Sequence, residues 1–393
     1  MSSALMENYG TRELKFERGE GSYLFTKDGE RYLDFGMGIA VNSLGHCNPK
    51  LITALTDQAN RLWHTSNLYN IEPGEQLANK LVASTFADRV FFCNSGTEAI
   101  ECGFKAIRRY FYSIGQSEKN RIVSMSGAFH GRSLAAIASA ANPAHCEGFL
   151  VGDPGFDQAE FGNFESLLST INKNTAAIII EPIQGEGGIT VATLEYLKAV
   201  RELCDSHNIL LMFDEVQCGI ARTGTLYAYQ QLGVSPDILA SAKGLGGGFP
   251  IGACLATEAV ASALIAGTHG STFGGNPLAM AVGNAVFDTL DDADFLKNVS
   301  ELGSYFKAEL QKLIQRFPLL LSEVRGLGLM LGLYCLTDAG QLIARLQEQK
   351  LLVVKAGGNS LRLLPALNVS KEEIDSAVEI ICKALSDIEN ETV

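Results

Sequence analysis

The 393-residue chain is longer than a usual single domain, and its 47% hydrophobic and 19% charged residues suit a packed protein rather than a disordered one. A net charge of -13 without a Lys/Arg cluster argues against a nucleic-acid or anionic-membrane partner and for a small-molecule ligand. Met1 to Gly10 carries no basic stretch followed by an apolar one, no run reaches the roughly 20 apolar residues that span a bilayer, and the 9 cysteines and 6 histidines lack CxxC or HxxxH spacing, so a cytoplasmic protein without disulfides or a metal is expected.

In chain order, Ser22-Thr26 and Arg31-Asp34 around Asp28-Gly29 predict a hairpin. Short apolar runs then alternate with helical patterns: Arg89-Cys93, Arg121-Met125, Ala176-Ile180, Ile209-Phe213, Asp237-Ser241 and Ile251-Ala256. That alternation predicts a mostly parallel sheet with helices on both faces. Further on come helices at Leu278-Leu290 and Leu302-Arg316, strands at Gly328-Cys335 and Leu361-Leu364, and a last helix whose start has the capping-box spacing Ser370 to Glu373. The expected division is a large unit over 46–274 and a smaller α/β unit made of 1–45 and 275–393.

Ligands of parallel sheets bind beyond the strand carboxyl ends, so the chemistry is sought there. The Asn94-Ser95-Gly96-Thr97-Glu98 tip opens a helix running to about Tyr112; its free N–H groups, dipole and hydroxyls suit a phosphate, while an ordinary Ser/Thr cap is the other reading. Asp214, closing an apolar strand, needs a cation: a protonated pyridine nitrogen or a structural Arg or Lys. Lys243 lies between an apolar strand and the glycines Gly244, Gly246, Gly247 and Gly248. Desolvated there, its amine would have the lowered pKa that imine formation requires, although most lysines are solvated surface charges. The glycines match neither the Rossmann nor the Walker spacing. Arg362, in a strand otherwise too apolar for a charge, should be paired or face the site.

Asn94-Ser95-Gly96-Thr97-Glu98-Ala99, Phe129-His130-Gly131-Arg132, Glu181-Pro182 with Gly185-Glu186-Gly187-Gly188, Phe213-Asp214-Glu215-Val216-Gln217, Ser241-Ala242-Lys243 and Ser271-Thr272 follow one another in an order that resembles the class III aminotransferases over nearly the whole chain. The resemblance implies the aspartate aminotransferase-like fold of pyridoxal-phosphate-dependent transferases, with a mostly parallel seven-stranded sheet and a smaller α/β domain. It implies pyridoxal 5'-phosphate on Lys243, with Ser95, Gly96 and Thr97 at the phosphate, Phe129 stacked on the ring, Asp214 on its nitrogen, Gln217 near its hydroxyl, and Glu215 and Val216 beside them. Thr272 would reach the phosphate in a neighbouring subunit, making a homodimer the active unit. Arg132 and Ser271 would hold the donor's carboxylate end. Glu186 would neutralise Arg362 in one half-reaction and release it to grip a carboxylate in the other.

The implied activity moves the terminal amine of N2-acetyl-L-ornithine to 2-oxoglutarate, giving N-acetyl-L-glutamate 5-semialdehyde and L-glutamate, as in arginine biosynthesis. Ornithine, 4-aminobutyrate and N-succinyl-diaminopimelate are the alternative donors. A catalytically silent ligand-binding protein of the same fold is the reading from another class, against which Lys243 and Asp214 together speak. Ile100, Gly244, Asn48 and Phe273 depart from the commoner residues of the family and leave the cofactor residues intact.

Overall fold

Two strands with almost no polar residue, Thr175–Ile180 and Leu210–Asp214, lie side by side and in parallel, buried along their whole length. Burial on both faces is what such continuous apolar runs require. Around them runs a seven-stranded sheet in the order Arg89–Cys93, Gly252–Ala256, Ile238–Ser241, Leu210–Asp214, Thr175–Ile180, Arg121–Met125, Phe156–Ala159. Only Gly252–Ala256 runs against its neighbours. The other six strands therefore end at one edge, where the segments after Cys93, Met125, Ile180, Asp214 and Ser241 gather. The computed structural model describes residues 4–9, 13–149 and 152–392; the rest of the Met1 to Gly10 segment read above lies outside the described residues.

The helix Gly96–Ser113 covers one face of the sheet with Ala99, Ile100, Phe104 and Ile107. It lies so close that a Cβ at Gly103 would collide with the Met212 side chain. Ser95 caps it, its Oγ accepting from Glu98 N at 3.3 Å. Its first turn is thus held at the sheet edge with its N–H groups facing outward.

The expected hairpin forms as Tyr23–Thr26 against Arg31–Asp34, joined by Phe16–Glu20 on one side and by Leu351–Leu352 on the other. Leu321–Leu327, Met330–Cys335, Ser360–Leu363 and Val354–Ala356 form a separate antiparallel sheet. The last helix starts as the spacing predicts: Glu373 N donates to Ser370 Oγ at 3.1 Å and Ser370 N to Glu373 Oε2 at 2.9 Å.

Some elements differ from expectation. Phe156–Ala159 adds a parallel edge strand that sequence reading missed, because its four residues include the polar Asp157 and Gln158. The helix ending at Arg316 begins at Ala293, capped by Asp292, where acidic residues obscure the apolar spacing. The Pro277–Leu290 helix packs on Pro49–Ala59, Glu72–Ala83 and the Lys243–Gly246 turn.

Arg222 ties the segment after Leu210–Asp214 to the segments beside Met330–Cys335 and Ser360–Leu363. It is fully buried and its Nη1 donates to the carbonyls of Leu329 at 3.1 Å and Pro365 at 2.6 Å. Burial pushes its guanidinium down to about 9. Among the described residues no helix is long and apolar enough to cross a membrane.

Candidate active site

The strand tips enclose a cavity of about 300 Å³ whose wall includes Ser95, Gly96, Thr97, Phe129, His130, Glu181, Asp214, Val216, Gln217 and Lys243. Residues far apart in the chain thus meet at the edge where the parallel strands end.

Lys243 is half-buried and opens the Lys243–Gly246 turn with φ 46°, a left-handed conformation that a lysine adopts only when its surroundings enforce it. Burial and the Arg362 guanidinium push its amine below the ordinary lysine value, against the opposing pull of Asp214, Glu181 and Glu186. The result is a more nucleophilic, proton-accepting amine.

Asp214, 4% exposed, accepts from Val216 N at 3.0 Å through Oδ1 and meets His130 Nδ1 at 2.7 Å through Oδ2. Burial opposes a charged His130, yet the hydrogen bond and charge of Asp214, with Glu181 behind it, raise the imidazole above its ordinary value. The carboxylate is thereby fixed in place while it lines the cavity. Glu181, equally buried, accepts from Phe129 N at 3.1 Å and Gly185 N at 3.2 Å, pinning two of the tips together. Burial and the nearby Asp214 charge raise its carboxyl.

At the opposite wall, Gly96 and Thr97 begin the helix, so their N–H groups have no acceptor within it. Gly96 lies against Val216, where a Cβ would come within 2.7 Å of Cγ1. Gly131, with φ 122°, abuts Thr97 so closely that a Cβ would collide with Oγ1. Small residues and a helix N-terminus leave the cup an anion needs. Phe129 faces the cavity, and the Arg132 guanidinium lies 5.4 Å from its ring centroid.

Arg362 is 1% exposed, on a strand between Met330–Cys335 and Val354–Ala356. Its Nη2 pairs with Glu186 Oε1 at 2.8 Å and its Nη1 donates to Gln217 Oε1 at 2.9 Å. Its Nε has no partner among the described residues. The side chain of Glu186 is 39% exposed, whereas that of Arg362 is closed to solvent.

Six of the expected residues are outside the cavity wall: Arg362 and Glu186, joined to it through Gln217, and four that stand further apart. Glu215 points away: it is fully buried, accepts from Tyr229 N at 2.8 Å and from Ala228 N, and caps the Ala228–Leu232 helix, with burial pushing its carboxyl up to about 8. Arg132 is exposed outside Phe129. Ser271 accepts from Asn94 Nδ2 at 3.2 Å and Gly274 N at 2.9 Å, structuring its own turn, and Thr272 next to it is exposed. Conversely, sequence reading gave Glu181 no role and treated His130 as an ordinary satisfied histidine. Their signal was position, at the tip of an apolar strand and one residue after Phe129. Val41, also in the wall, follows Met37, Ile39 and Ala40 with φ of 46°, 64° and 63°, a path no local pattern announces.

The family profile described as aminotransferase class-III matches residues 6–385. A curated relative, acetylornithine aminotransferase of Agrobacterium fabrum, is 52% identical over 372 residues, covering 95% of this chain and 93% of its own. The acetylornithine aminotransferase of Rhodobacter capsulatus is 50% identical, with 100% of each chain covered. Among solved structures, the ornithine aminotransferase of Toxoplasma gondii superposes with a TM-score of 0.94 at 32% identity, covering 99% of this chain and 94% of that one. N-acetylornithine aminotransferase of Stenotrophomonas maltophilia superposes with a TM-score of 0.86 at 38% identity, covering 98% and 99%. A lysine and a buried aspartate lining one cavity beside a helix N-terminus, and a family match along almost the whole length, lead to one conclusion: the chain belongs to the class III aminotransferases.

Proposed function

We propose that this aminotransferase uses pyridoxal 5'-phosphate to move the terminal amino group of N2-acetyl-L-ornithine to 2-oxoglutarate. The observation that carries the reading is the pairing within one cleft of an amine of lowered pKa, Lys243, with a clamped carboxylate, Asp214. The donor set fits the cofactor. Ser95, Gly96 and Thr97 would hold its phosphate, Phe129 and Val216 its ring, Asp214 its ring nitrogen, Gln217 its hydroxyl, and Lys243 would carry it through the amine.

Bound pyridoxal phosphate supplies an electron sink for the charge that develops on the substrate carbon. The protein's own part is proton handling and orientation. Lys243, once free, is placed to take the proton from the substrate carbon and return it to the neighbouring position, because a neutral amine is available at lower pH than in an ordinary lysine. Asp214 presents its negative charge from a place it cannot leave, since His130 and Val216 N hold both oxygens. Arg362 serves the two substrates in turn. Paired with Glu186 it shows no net charge to a donor with a terminal amine; with Glu186 swung out, its planar fork meets the 2-oxo acid's carboxylate.

The choice of donor rests on the names of the relatives at 52% and 50% identity. The higher TM-score of the ornithine enzyme concerns backbone shape, which the family shares; identity ranks the two solved structures the other way. A homodimer accords with the apolar surface beside Thr272. Trp63 is 65% exposed, Tyr69 and Phe273 are exposed too, and Asn67 ties the first stretch to the second by donating to Ser271 O at 2.9 Å.

The test is a comparison of half-reactions. Mixing cofactor-loaded enzyme with acetylornithine, ornithine, 4-aminobutyrate or N-succinyl-diaminopimelate and following cofactor absorbance should give the highest kcat/KM for acetylornithine. A faster reaction with any of the other three would assign a different donor.

A further inference from the structure

A second cavity, of about 320 Å³, lies beside the Gly96–Ser113 helix, and its wall includes Cys102, Cys254 and His269. Cys102 sits on the buried face of that helix. Cys254 is in the antiparallel strand Gly252–Ala256, opposite Phe91, and the two thiols share one core cluster. His269 Nδ1 lies 2.8 Å from Lys105 Nζ, one helical turn beyond Cys102. Through this contact and a hydrogen bond between His269 and the Cys102 sulfur, the histidine links the lysine to the thiol. The Cys254 thiol as donor outweighs burial and, with His269 and Lys105, draws the Cys102 thiol below the ordinary value, while Cys254 itself is held well above it. The sulfur beside the His269–Lys105 contact is thus the one whose thiolate form is favoured. None of these groups takes part in the chemistry of the catalytic cleft.

We propose that Cys102 and Cys254 form a hydroperoxide-responsive thiol pair, with Cys102 as the attacking sulfur and Cys254 as the resolving one. In the first step the Cys102 thiolate attacks a peroxide oxygen, the O–O bond breaks, and Cys102 becomes a sulfenic acid while hydroxide leaves. In the second, the Cys254 sulfur attacks the Cys102 sulfur, the S–O bond breaks, and the thiol proton leaves with the hydroxide as water. The sum is two thiols and one hydrogen peroxide giving one disulfide and two waters, and a dithiol reverses it. A small peroxide suits a cavity of this size. The bond would tie the helix that begins at Gly96 to the strand whose Gly252 abuts the Ser95 carbonyl.

The test treats cofactor-loaded protein with hydrogen peroxide, blocks the remaining thiols and maps peptides with and without reduction. The expected product is the Cys102–Cys254 cross-link, removed by dithiothreitol, forming on the order of tenfold faster than oxidation of the exposed Cys47. In Cys254→Ser, dimedone should label Cys102; in Cys102→Ser, neither label nor cross-link should form. The wild-type map decides the matter even if a variant fails to fold. Oxidation first at Cys47, with Cys102 and Cys254 recovered as free thiols, would overturn the proposal.

Discussion

His130 Nδ1 lies 2.7 Å from Asp214 Oδ2, and both side chains are closed to solvent. The contact fixes where the carboxylate sits, so loss of the carboxylate should appear in the proton-transfer step. Asp214→Asn should lower kcat by on the order of a hundredfold or more with a smaller change in KM, because the missing charge matters most in the transition state. Steady-state kinetics check this; an unchanged kcat would make Asp214 a structural group.

The same pair predicts a pH dependence of stability. His130 is raised above its usual 6.5, so the stability it adds is fully present below that value and is lost as pH rises through its raised one. Lys243, shifted downward, works in the opposite sense, gaining stability toward high pH. Comparing the melting temperature of cofactor-free wild type with that of His130→Gln separates the two. The difference should shrink as pH rises from about 6 to 9. A constant difference would mean that His130 does not change its charge in this range.

Arg362 and Glu186 should part company in kinetics. Arg362→Lys should slow the 2-oxoglutarate half-reaction by about 10- to 100-fold and the acetylornithine half-reaction much less, since an ammonium cannot reproduce the fork. Glu186→Gln should leave the guanidinium open and raise reactivity with glutamate. Equal losses in both half-reactions, without new glutamate reactivity, would mark the 2.8 Å pair as static.

These predictions draw unequally on what was legible beforehand. The tips of Thr175–Ile180 and Leu210–Asp214 stood out because a buried strand announces itself by composition. Arg362 stood out as a charge in such a strand. Glu215 misled, because it follows Asp214 directly while its carboxylate turns to Ala228 N and Tyr229 N and only Asp214 lines the cavity. Phe156–Ala159 was too short and polar to register as an edge strand. Val41 reaches the wall through a positive-φ path that depends on tertiary packing, and the proposed role of Thr272 depends on a second chain.

The apolar surface around Thr272 supports a test of assembly. Trp63→Glu should convert a particle of twice the chain mass, measured by light scattering, toward the monomer and weaken cofactor retention, because a charge in a desolvated interface is costly. A variant that keeps both mass and cofactor would place the interface elsewhere.

The central claim is that Lys243 carries the cofactor. Borohydride reduction of pyridoxal-phosphate-loaded protein, digestion and peptide mass mapping test it directly. The expected product is the reduced cofactor on Lys243, and in Lys243→Ala a folded protein that binds pyridoxal phosphate reversibly, takes no label and does not turn over. The cofactor mass on any other lysine of the wild-type protein would contradict it.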